Sequence, residues 1–386
     1  MRFRHPDGSV VHLAYCTNVH PAEDVDGILS QLRLFAGQVR RQLDVPRLGI
    51  GLWISADAAA GLVRDAETLA RLRGELEQWR LEVVTLNGFP YSSFHAPVVK
   101  RRVYRPDWTD PARLAYTLDL ARLLAALLPE DAEEGTISTL PLGWRSPWGD
   151  GELARARAQL SRLAGSLAEL EEETGRRIRI GLEPEPGCVV ETTEQAGALL
   201  FDLEPERIGV CLDACHLAVQ FEEPTAAVAS LRAAGVPIVK AQVSSALRVS
   251  SPRSRASAER LAAFAEPRFL HQTRERRGGV VTGVDDLGDA MAGGLPGDGE
   301  WRVHFHVPVH ANGGETTQPE LAATLEALLG SEAPLTRHLE IETYTWTVLP
   351  EERRPGHDGA LVAALAREVG WTRERLLELG LEEVSS

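Results

Sequence analysis

Cysteine is scarce in this sequence, and the cysteines are not spaced for pairing. The 386 residues include four cysteines, and no two of them form a Cys-x-x-Cys motif: Cys16, Cys188, Cys211 and Cys215. Most of them lie in or beside apolar runs, where buried free thiols are common. Nothing therefore indicates a disulfide framework, and we expect the protein to work in a reducing compartment.

Long apolar stretches are also missing. No window reaches about 18 uncharged apolar residues, the length that a membrane-spanning helix requires. The N-terminal segment Met1–Val10 is charged and polar, and no apolar core of a signal peptide follows it. We therefore expect a cytoplasmic protein without a membrane-inserted segment.

Positive charge is in short supply as well. Lysine and arginine number 41 against 56 acidic residues, which gives a formal net charge of -15. Such a surface repels phosphate backbones and anionic membranes, so we expect no nucleic-acid partner. Several common nucleotide-binding and hydrolase motifs are missing too, namely Gly-x-Gly-x-x-Gly, the Walker loop, Gly-x-Ser-x-Gly and His-Glu-x-x-His.

The sequence does contain a regular succession of apolar runs of strand length, separated by segments with helical periodicity. Seven such runs begin near residues 12, 48, 82, 136, 178, 208 and 238. This order predicts parallel strands joined by crossover helices. An eighth strand would close the sheet into a ring, and His338–Thr345 is the best candidate. The predicted fold is a single α/β domain over residues 1–386, a (β/α)8 TIM barrel.

A long insertion separates the seventh predicted strand from the eighth. It spans residues 248–314, and we predict in it a helix at Ala256–Ala265, a glycine-rich segment at Gly283–Gly299 and an apolar run at Trp301–His310. The glycine-rich segment has no predicted strand before it and fits no phosphate-binding loop. Because no second core is visible, we interpret the insertion as a cap over the mouth of the barrel.

Acidic residues stand at the carboxyl ends of three predicted strands. Glu183 ends the fifth strand, Asp213 the sixth and Glu342 the eighth. TIM barrels place their active sites at these ends. Neighbouring carboxylates repel one another unless a cation lies between them, so the pattern predicts a divalent metal. Carboxylate and imidazole ligands suit Mn²⁺, Mg²⁺, Co²⁺ or Zn²⁺, and the sequence does not choose among them.

Further ligand-type residues stand close by in the sequence. Residues two apart in a strand face the same side. Three pairs have this spacing: Glu183 with Glu185, Glu340 with Glu342, and His304 with His306. His216 follows Asp213 by three residues, which lets the acid bind a metal while the imidazole reaches a substrate.

Each of these residues also has a purely structural interpretation. Asp213 could cap the helix that follows it. His216 could hydrogen-bond to the backbone, and Glu342 could pair with a buried arginine or lysine. The combination of these three residues with Glu183 indicates an active site more strongly than any one of the residues does alone.

Polar and aromatic side chains near the other strand ends are suited to a polyol substrate. The candidates are His20, Asn87, Tyr91, His95, Trp144, Glu185, His304 and Glu340. Lys100, Arg101 and Arg102 form a basic run that could reach a phosphate, although a solvated loop is the simpler interpretation.

The strand-end acids resemble those of the xylose-isomerase-like barrels, a superfamily of sugar isomerases and sugar-phosphate epimerases. The resemblance implies that Glu183, Asp213 and Glu342 bind a divalent metal. It also implies that Glu183 and Glu342 carry protons and that His216 contacts the substrate.

One ligand of that family has no direct counterpart. The family's histidine on strand seven is replaced by Gln242, or by Lys240 on the same face of the strand. His306 or His304 of the insertion could substitute for it, and Gln242 is itself a candidate ligand. Alternatively, the missing histidine indicates that the metal site is altered or absent.

More narrowly, several stretches are similar to the EboE-type metabolite traffic proteins encoded in bacterial ebo operons. They are Tyr15–His20, Asn87–Tyr91, Phe94–His95, Ser138–Leu142, His304–Pro308 and Glu342–Trp346. The resemblance implies a role in making or moving a secondary metabolite, with other proteins of the same biosynthetic operon as partners.

Three functions remain open on the sequence alone. The first is a metal-dependent isomerase or epimerase acting on a sugar, cyclitol or sugar phosphate, in which Glu183 and Glu342 move a proton on either side of a carbon. The second is a non-catalytic barrel that binds a metabolite and hands it to a partner. The third, endonuclease-IV-like phosphodiester hydrolysis, would need more metal ligands and a basic groove, and the net charge argues against it.

Overall fold

Eight parallel strands close into a barrel in the computed structural model, which describes residues 1–311 and 314–384. The strands of the molecule are β1 (Arg2–Arg4), β2 (Val10–Cys16), β3 (Leu48–Trp53), β4 (Leu81–Asn87), β5 (Glu134–Thr139), β6 (Arg177–Leu182), β7 (Ile208–Asp213), β8 (Ile238–Val243), β9 (Leu247–Val249), β10 (Thr273–Arg277), β11 (Val280–Val284), β12 (Glu300–Val303), β13 (His338–Ile341) and β14 (Glu382–Glu383). The barrel consists of β2 to β8 and β13, and β13 pairs in parallel with both β8 and β2. The predicted (β/α)8 TIM barrel and its distant eighth strand are therefore confirmed.

Helices flank the barrel strands. They are α1 (Val25–Gln31), α2 (Gly37–Leu43), α3 (Ala56–Arg64), α4 (Ala66–Trp79), α5 (Pro111–Leu127), α6 (Asp150–Thr174), α7 (Thr193–Leu200), α8 (Ala214–Val219), α9 (Pro224–Ala233), α10 (Arg255–Phe264), α11 (Leu287–Asp289), α12 (Gln318–Leu329) and α13 (Asp358–Glu378). Side-chain caps fix several starts, since Asp65 and Asp110 accept hydrogen bonds from backbone N–H groups of α4 and α5. Within the described residues, no helix combines the length and apolar character needed to cross a membrane.

Some predicted boundaries were wrong. The first strand, predicted over His12–Val19, and the eighth, predicted as His338–Thr345, end earlier, because 3₁₀ turns at Thr17–Val19 and Tyr344–Thr347 replace their predicted ends. The sequence predicts a single helix, Asp65–Trp79, after the second strand, and helix α3 precedes it without having been predicted. Helix α13 continues beyond its predicted end at Val369 into residues 371–386, predicted as a short helical tail, of which 385 and 386 lie outside the described residues.

The insertion contains a sheet that the sequence did not predict. Strands β9 to β12 form an antiparallel sheet in the order β11-β10-β12-β9, beside the predicted helix α10. A tight turn at Gly278 and Gly279 joins β10 to β11, and both glycines have a positive φ, at 55° and 83°. Residues 312 and 313 of the predicted insertion lie outside the described residues.

A buried acid at the amino end of the barrel collects positive charge. The Glu82 carboxylate lies 2.9 Å from the Arg2 guanidinium and 3.9 Å from the N-terminal amine. Burial alone would raise the pKa of Glu82, but the nearby His12 ring, the amine charge and a hydrogen bond from Arg2 hold it well below its usual value. The pair of β1 with β2 is thereby anchored to β4.

Replacing Glu82 by glutamine is expected to lower the free energy of unfolding at pH 7 by about 3 kcal/mol, because it removes the buried carboxylate that pairs with Arg2 and with the N-terminal amine. A carboxyl with a depressed pKa stabilises the fold above its unfolded pKa, and this contribution disappears as pH falls through the folded pKa. The difference in the free energy of unfolding between wild type and variant, measured by urea unfolding, should therefore be smaller at pH 4 than at pH 7. Glu133→Gln, at an exposed acid, is the control, and an equal gap at both pH values would contradict the assignment.

Candidate active site

A cavity opens at the carboxyl ends of the barrel strands. It contains about 480 Å³ of space not filled by protein atoms, part of it open to solvent. Acidic and imidazole side chains form one end of it, and aromatic and aliphatic side chains form the walls. The location agrees with the general position of active sites in TIM barrels.

Three acids meet beside this cavity, and two of them, Glu183 and Glu342, line it. Glu183, Asp213 and Glu342, which we call the acidic triad, each offer a carboxylate oxygen within 4.8 Å of the other two. All three are buried. Burial and the charges of the other two acids raise the pKa of Glu183 well above its usual value, and burial and the Asp213 charge raise that of Glu342.

Neighbouring strands hold the triad in place. The Glu342 Oε1 atom accepts hydrogen bonds from the side-chain amides of Asn18 and Asn87, both at 2.7 Å. The Asp213 Oδ1 atom accepts from the His216 backbone N–H and from the Ser244 hydroxyl, both at 2.8 Å. Asp213 is thus the helix cap that its sequence position allowed, yet only one of its oxygens serves as the cap.

Three histidines border the same space with their Nε2 atoms facing one another. His216, His304 and His306 form this imidazole triad, with Nε2 atoms separated by 3.0 Å between His216 and His304 and by 3.2 Å between His304 and His306. Each Nδ1 atom lies against an acceptor. Those acceptors are the Pro184 carbonyl at 3.0 Å, the Gln272 Oε1 atom at 2.7 Å and the Glu342 carbonyl at 2.7 Å.

These acceptors fix the tautomers. A carbonyl oxygen cannot donate, so each Nδ1 carries the proton and each neutral ring directs an Nε2 lone pair at the next ring. Burial lowers the pKa of His216 to about 4 and that of His304 well below its usual value, so a second proton does not relieve the contact at neutral pH. A cation would relieve it.

The donor set therefore fits a divalent metal. The Glu183 Oε2 and Asp213 Oδ2 atoms are buried and have no hydrogen-bond partner among the described residues. Asp213 belongs to the acidic triad and also lies within 4.8 Å of His216 and His306, measured between potential ligand atoms. Buried carboxylate oxygens and oriented imidazoles are the ligands expected for Mn²⁺, Co²⁺ or Zn²⁺.

A further acid lies beside the imidazole triad. The Glu185 Oε1 atom accepts a hydrogen bond from the Tyr104 hydroxyl at 2.6 Å and from the Gln272 amide at 3.2 Å. Burial raises the pKa of Glu185 to about 8 despite these two donors. Gln272 thus connects Glu185 to His304, because its amide oxygen faces the His304 ring.

The other residues proposed from the sequence lie at different distances from the cavity. Glu185 and His304 line it, and Asn87 holds Glu342. Trp144 packs behind Tyr104 with ring centroids 4.9 Å apart.

Three further candidates pack against other aromatic rings and are not among the residues that line the cavity. His20 stacks on Phe35 with centroids 4.3 Å apart. Tyr91 packs on Tyr116, and His95 packs beside Trp53, and both side chains are half-buried. A role of these three residues in substrate binding stays a prediction.

Two candidates lie deeper in the barrel. Glu340 pairs with Lys240 at 2.5 Å, below Glu342. Gln242 pairs in register with Asp213 on β7, and neither of its side-chain polar atoms has a hydrogen-bond partner among the described residues. The alternation of β8 thus directs Lys240 and Gln242 inward, as expected.

Several cavity residues were not singled out from the sequence. They are Tyr104, Phe269, Leu270 and Tyr344 in the walls and Gln272 behind His304. Tyr344 lies in one of the stretches used for the family resemblance, which is a usable signal. Phe269 to Gln272 follow helix α10 in a segment without periodicity, and no sequence pattern marks them.

Comparison with known proteins supports the fold. The family model described as Xylose isomerase-like TIM barrel matches residues 49–268. None of the curated proteins compared with the chain matches it at a significant level. The structure of L-ribulose 3-epimerase is similar, with a TM-score of 0.50 and 14% identity over 96% of this chain and 95% of that chain. So is D-psicose 3-epimerase with D-tagatose from Clostridium cellulolyticum H10, with a TM-score of 0.53 and 11% identity over 95% of this chain and 99% of that chain.

Proposed function

The chain belongs to the xylose isomerase-like TIM barrel family, and on that premise we propose that it is a metal-dependent enzyme of the isomerase or epimerase kind. The observation that carries the proposal is the acidic triad, in which two buried carboxyls with raised pKa values flank one cavity. The proposed substrate is a sugar, cyclitol or sugar phosphate with a hydroxyl-bearing carbon beside a carbonyl. The sugar epimerases among the structural neighbours support this choice at the level of the fold.

The residues that would hold the metal are Glu183, Asp213, Glu342 and His306. Asp213 connects them, because it lies within ligand distance of the other two acids and of His306. In this arrangement His306 takes the place of the missing histidine of strand seven. A divalent cation bound there supplies the positive charge that polarises a substrate carbonyl and acidifies the neighbouring C–H bond.

Glu183 and Glu342 are the proposed proton carriers. Both carboxyls line the cavity, where a positioned carboxylate accepts a proton from a bound substrate and returns it. Asn18 and Asn87 both bind Oε1 of Glu342, which leaves Oε2 for the proton. His216, oriented by the Pro184 carbonyl, directs Nε2 toward the substrate space.

The insertion is proposed to cap this site and keep water out. It contributes His304, His306 and Phe269 to the cavity lining. Lys100 and Arg101, on the loop that follows β4, pair with Asp286 and Asp285 of the insertion, at 2.5 Å and 2.9 Å. The basic run thus anchors the cap, and we infer that the barrel and the insertion act as a single domain.

A role in secondary metabolism, with operon-encoded partners, is a narrower proposal. The stretches similar to EboE-type proteins supply cavity residues, among them Phe94, His304 and Tyr344. Four of the six stretches contribute residues to the cavity lining, which supports a shared ligand.

Proton exchange in heavy water tests the proposed reaction. Protein loaded with Mn²⁺ is incubated in D₂O with a panel of ketohexoses, ketose phosphates and keto-cyclitols, and deuterium incorporation is read by NMR. We expect exchange of the hydrogen beside the carbonyl in at least one compound, and a loss of roughly 100-fold in Glu183→Gln, the typical contribution of a general base.

Glu194→Gln, at an exposed glutamate of α7, is the matched control and should exchange at the wild-type rate. Incorporation into no compound by metal-loaded protein would contradict the enzymatic proposal and favour the metabolite-binding alternative. Wild-type exchange in Glu183→Gln would remove Glu183 from the proton pathway.

A further inference from the structure

The walls of the cavity differ sharply from its metal-binding end. Phe94, Phe269 and Tyr344 form one continuous aromatic wall, with ring centroids 4.8 to 5.3 Å apart. The Tyr344 ring continues to His306 at 4.8 Å. Three separate segments supply these rings, namely the loop after β4, the insertion and the turn after β13. The wall therefore begins directly at His306, one of the proposed metal ligands.

Polar side chains in the walls are largely committed to other protein groups. The Tyr104 hydroxyl donates to Glu185, and the Gln272 amide donates to the Tyr104 oxygen at 2.8 Å. The Lys100 amine donates to Asp286. A substrate hydroxyl placed against the rings of Phe94 or Phe269 would leave water without gaining a hydrogen-bond partner, which is unfavourable.

From this division we propose that the substrate is amphiphilic, with a vicinal pair of oxygens at one end and an apolar, ring-bearing body at the other. The inference rests on the proposed function and narrows its substrate class to sugars or cyclitols that carry an apolar, ring-bearing substituent. The oxygen pair lies at the acidic and imidazole triads. The body packs against Phe94, Phe269 and Tyr344, where aromatic contacts add to simple burial.

Two probes with the same reactive end test the proposal. 2-Hydroxyacetophenone and L-erythrulose are both α-hydroxy ketones, but the first carries a phenyl ring and the second carries further hydroxyls. Dissociation constants are measured by calorimetry on Mn²⁺-loaded and on metal-depleted protein. We expect the loaded protein to bind 2-hydroxyacetophenone at least tenfold more tightly than L-erythrulose. Equal binding, or tighter binding of L-erythrulose, would overturn the proposal.

The metal-depleted arm separates this inference from the proposed function. If the cavity is apolar but holds no metal, the tenfold preference persists and metal changes neither constant. If the metal site exists but the substrate body is polar, metal lowers the dissociation constants of both probes, and the protein shows no preference for the probe with the phenyl ring. We expect metal to strengthen both probes and the preference to remain.

Two matched variants test whether the aromatic wall causes the preference for 2-hydroxyacetophenone. Phe269→Leu removes an aromatic ring from the wall and should reduce the preference at least threefold. Phe264→Leu makes the same change at a buried phenylalanine of the insertion that packs on Phe305, and should leave it unchanged. An equal effect of both variants would overturn the assignment of the wall, and the wild-type comparison stands even if a variant fails to fold.

Discussion

Asp213→Asn is expected to lower the affinity of the protein for Mn²⁺ by roughly 100-fold or more, the upper range for loss of a group that supports a metal site. Asp213 belongs to the acidic triad and also to the group of potential ligands that it forms with His216 and His306. One substitution therefore removes a ligand from the triad and breaks its connection to His306. Asparagine keeps the oxygen that caps α8 and is as good a cap as aspartate. The fold should therefore remain intact while the metal is lost.

Asp65→Asn is the matched control. The Asp65 side chain caps α4 by accepting a hydrogen bond from the Glu67 backbone N–H. Asp65 lies at the surface and does not line the cavity. Calorimetric titration of both variants with Mn²⁺, alongside circular dichroism, gives the comparison. Unchanged Mn²⁺ affinity in Asp213→Asn would show that the acids do not form the metal site.

Lys240→Met is expected to lower the free energy of unfolding by about 3 to 5 kcal/mol, the cost of breaking a buried ion pair from one side. Lys240 and Glu340 are both fully buried, with Nζ 2.5 Å from Oε2. The Glu340 carboxylate packs directly against the backbone of Gly51, where a Cβ atom would lie 1.4 Å from the Glu340 oxygen. The orphaned carboxylate has no room to turn toward solvent.

The double variant Lys240→Met with Glu340→Gln should recover most of that loss, because it removes the unpaired charge as well as its partner. Urea unfolding at pH 7 measures all three proteins. A loss below about 1 kcal/mol in Lys240→Met would show that the pair contributes little to the fold. No recovery in the double variant would point to packing rather than charge.

The barrel could be predicted because its strands and helices repeat at a regular spacing. The sixth predicted strand, Ile208–Asp213, coincides with β7, and His338 begins the distant eighth strand as expected. Helix α3 was missed because it follows β3 almost directly, without the glycine or proline that separates other elements. Strand β10 was missed because its sequence, Thr-Arg-Glu-Arg-Arg, carries charge where a strand pattern calls for apolar residues. The Glu275 carboxylate of β10 is instead satisfied by backbone N–H groups of Gly297 and Gly299.

The site was accessible to sequence reasoning only where strand geometry determines position. Glu183 and Asp213 follow adjacent strands and Glu342 follows a strand two places further round the barrel, so the fold alone brings them together. The convergence of His304 and His306 on His216 depends on how a long insertion folds back, which no local pattern specifies. His20 and Tyr91 show a limit of the same reasoning, because an aromatic or polar residue near a strand end can pack against other rings instead of lining the cavity.

The most direct test of the proposed metal site is an anomalous difference map from crystals grown with Mn²⁺. We expect a peak within coordination distance of Glu183, Asp213, Glu342 and His306, beside the point where the Tyr344 ring of the aromatic wall packs on His306. A map with Mn²⁺ bound elsewhere, or with no peak among these four residues at saturating Mn²⁺, would contradict a metal-dependent active site built on the acidic triad.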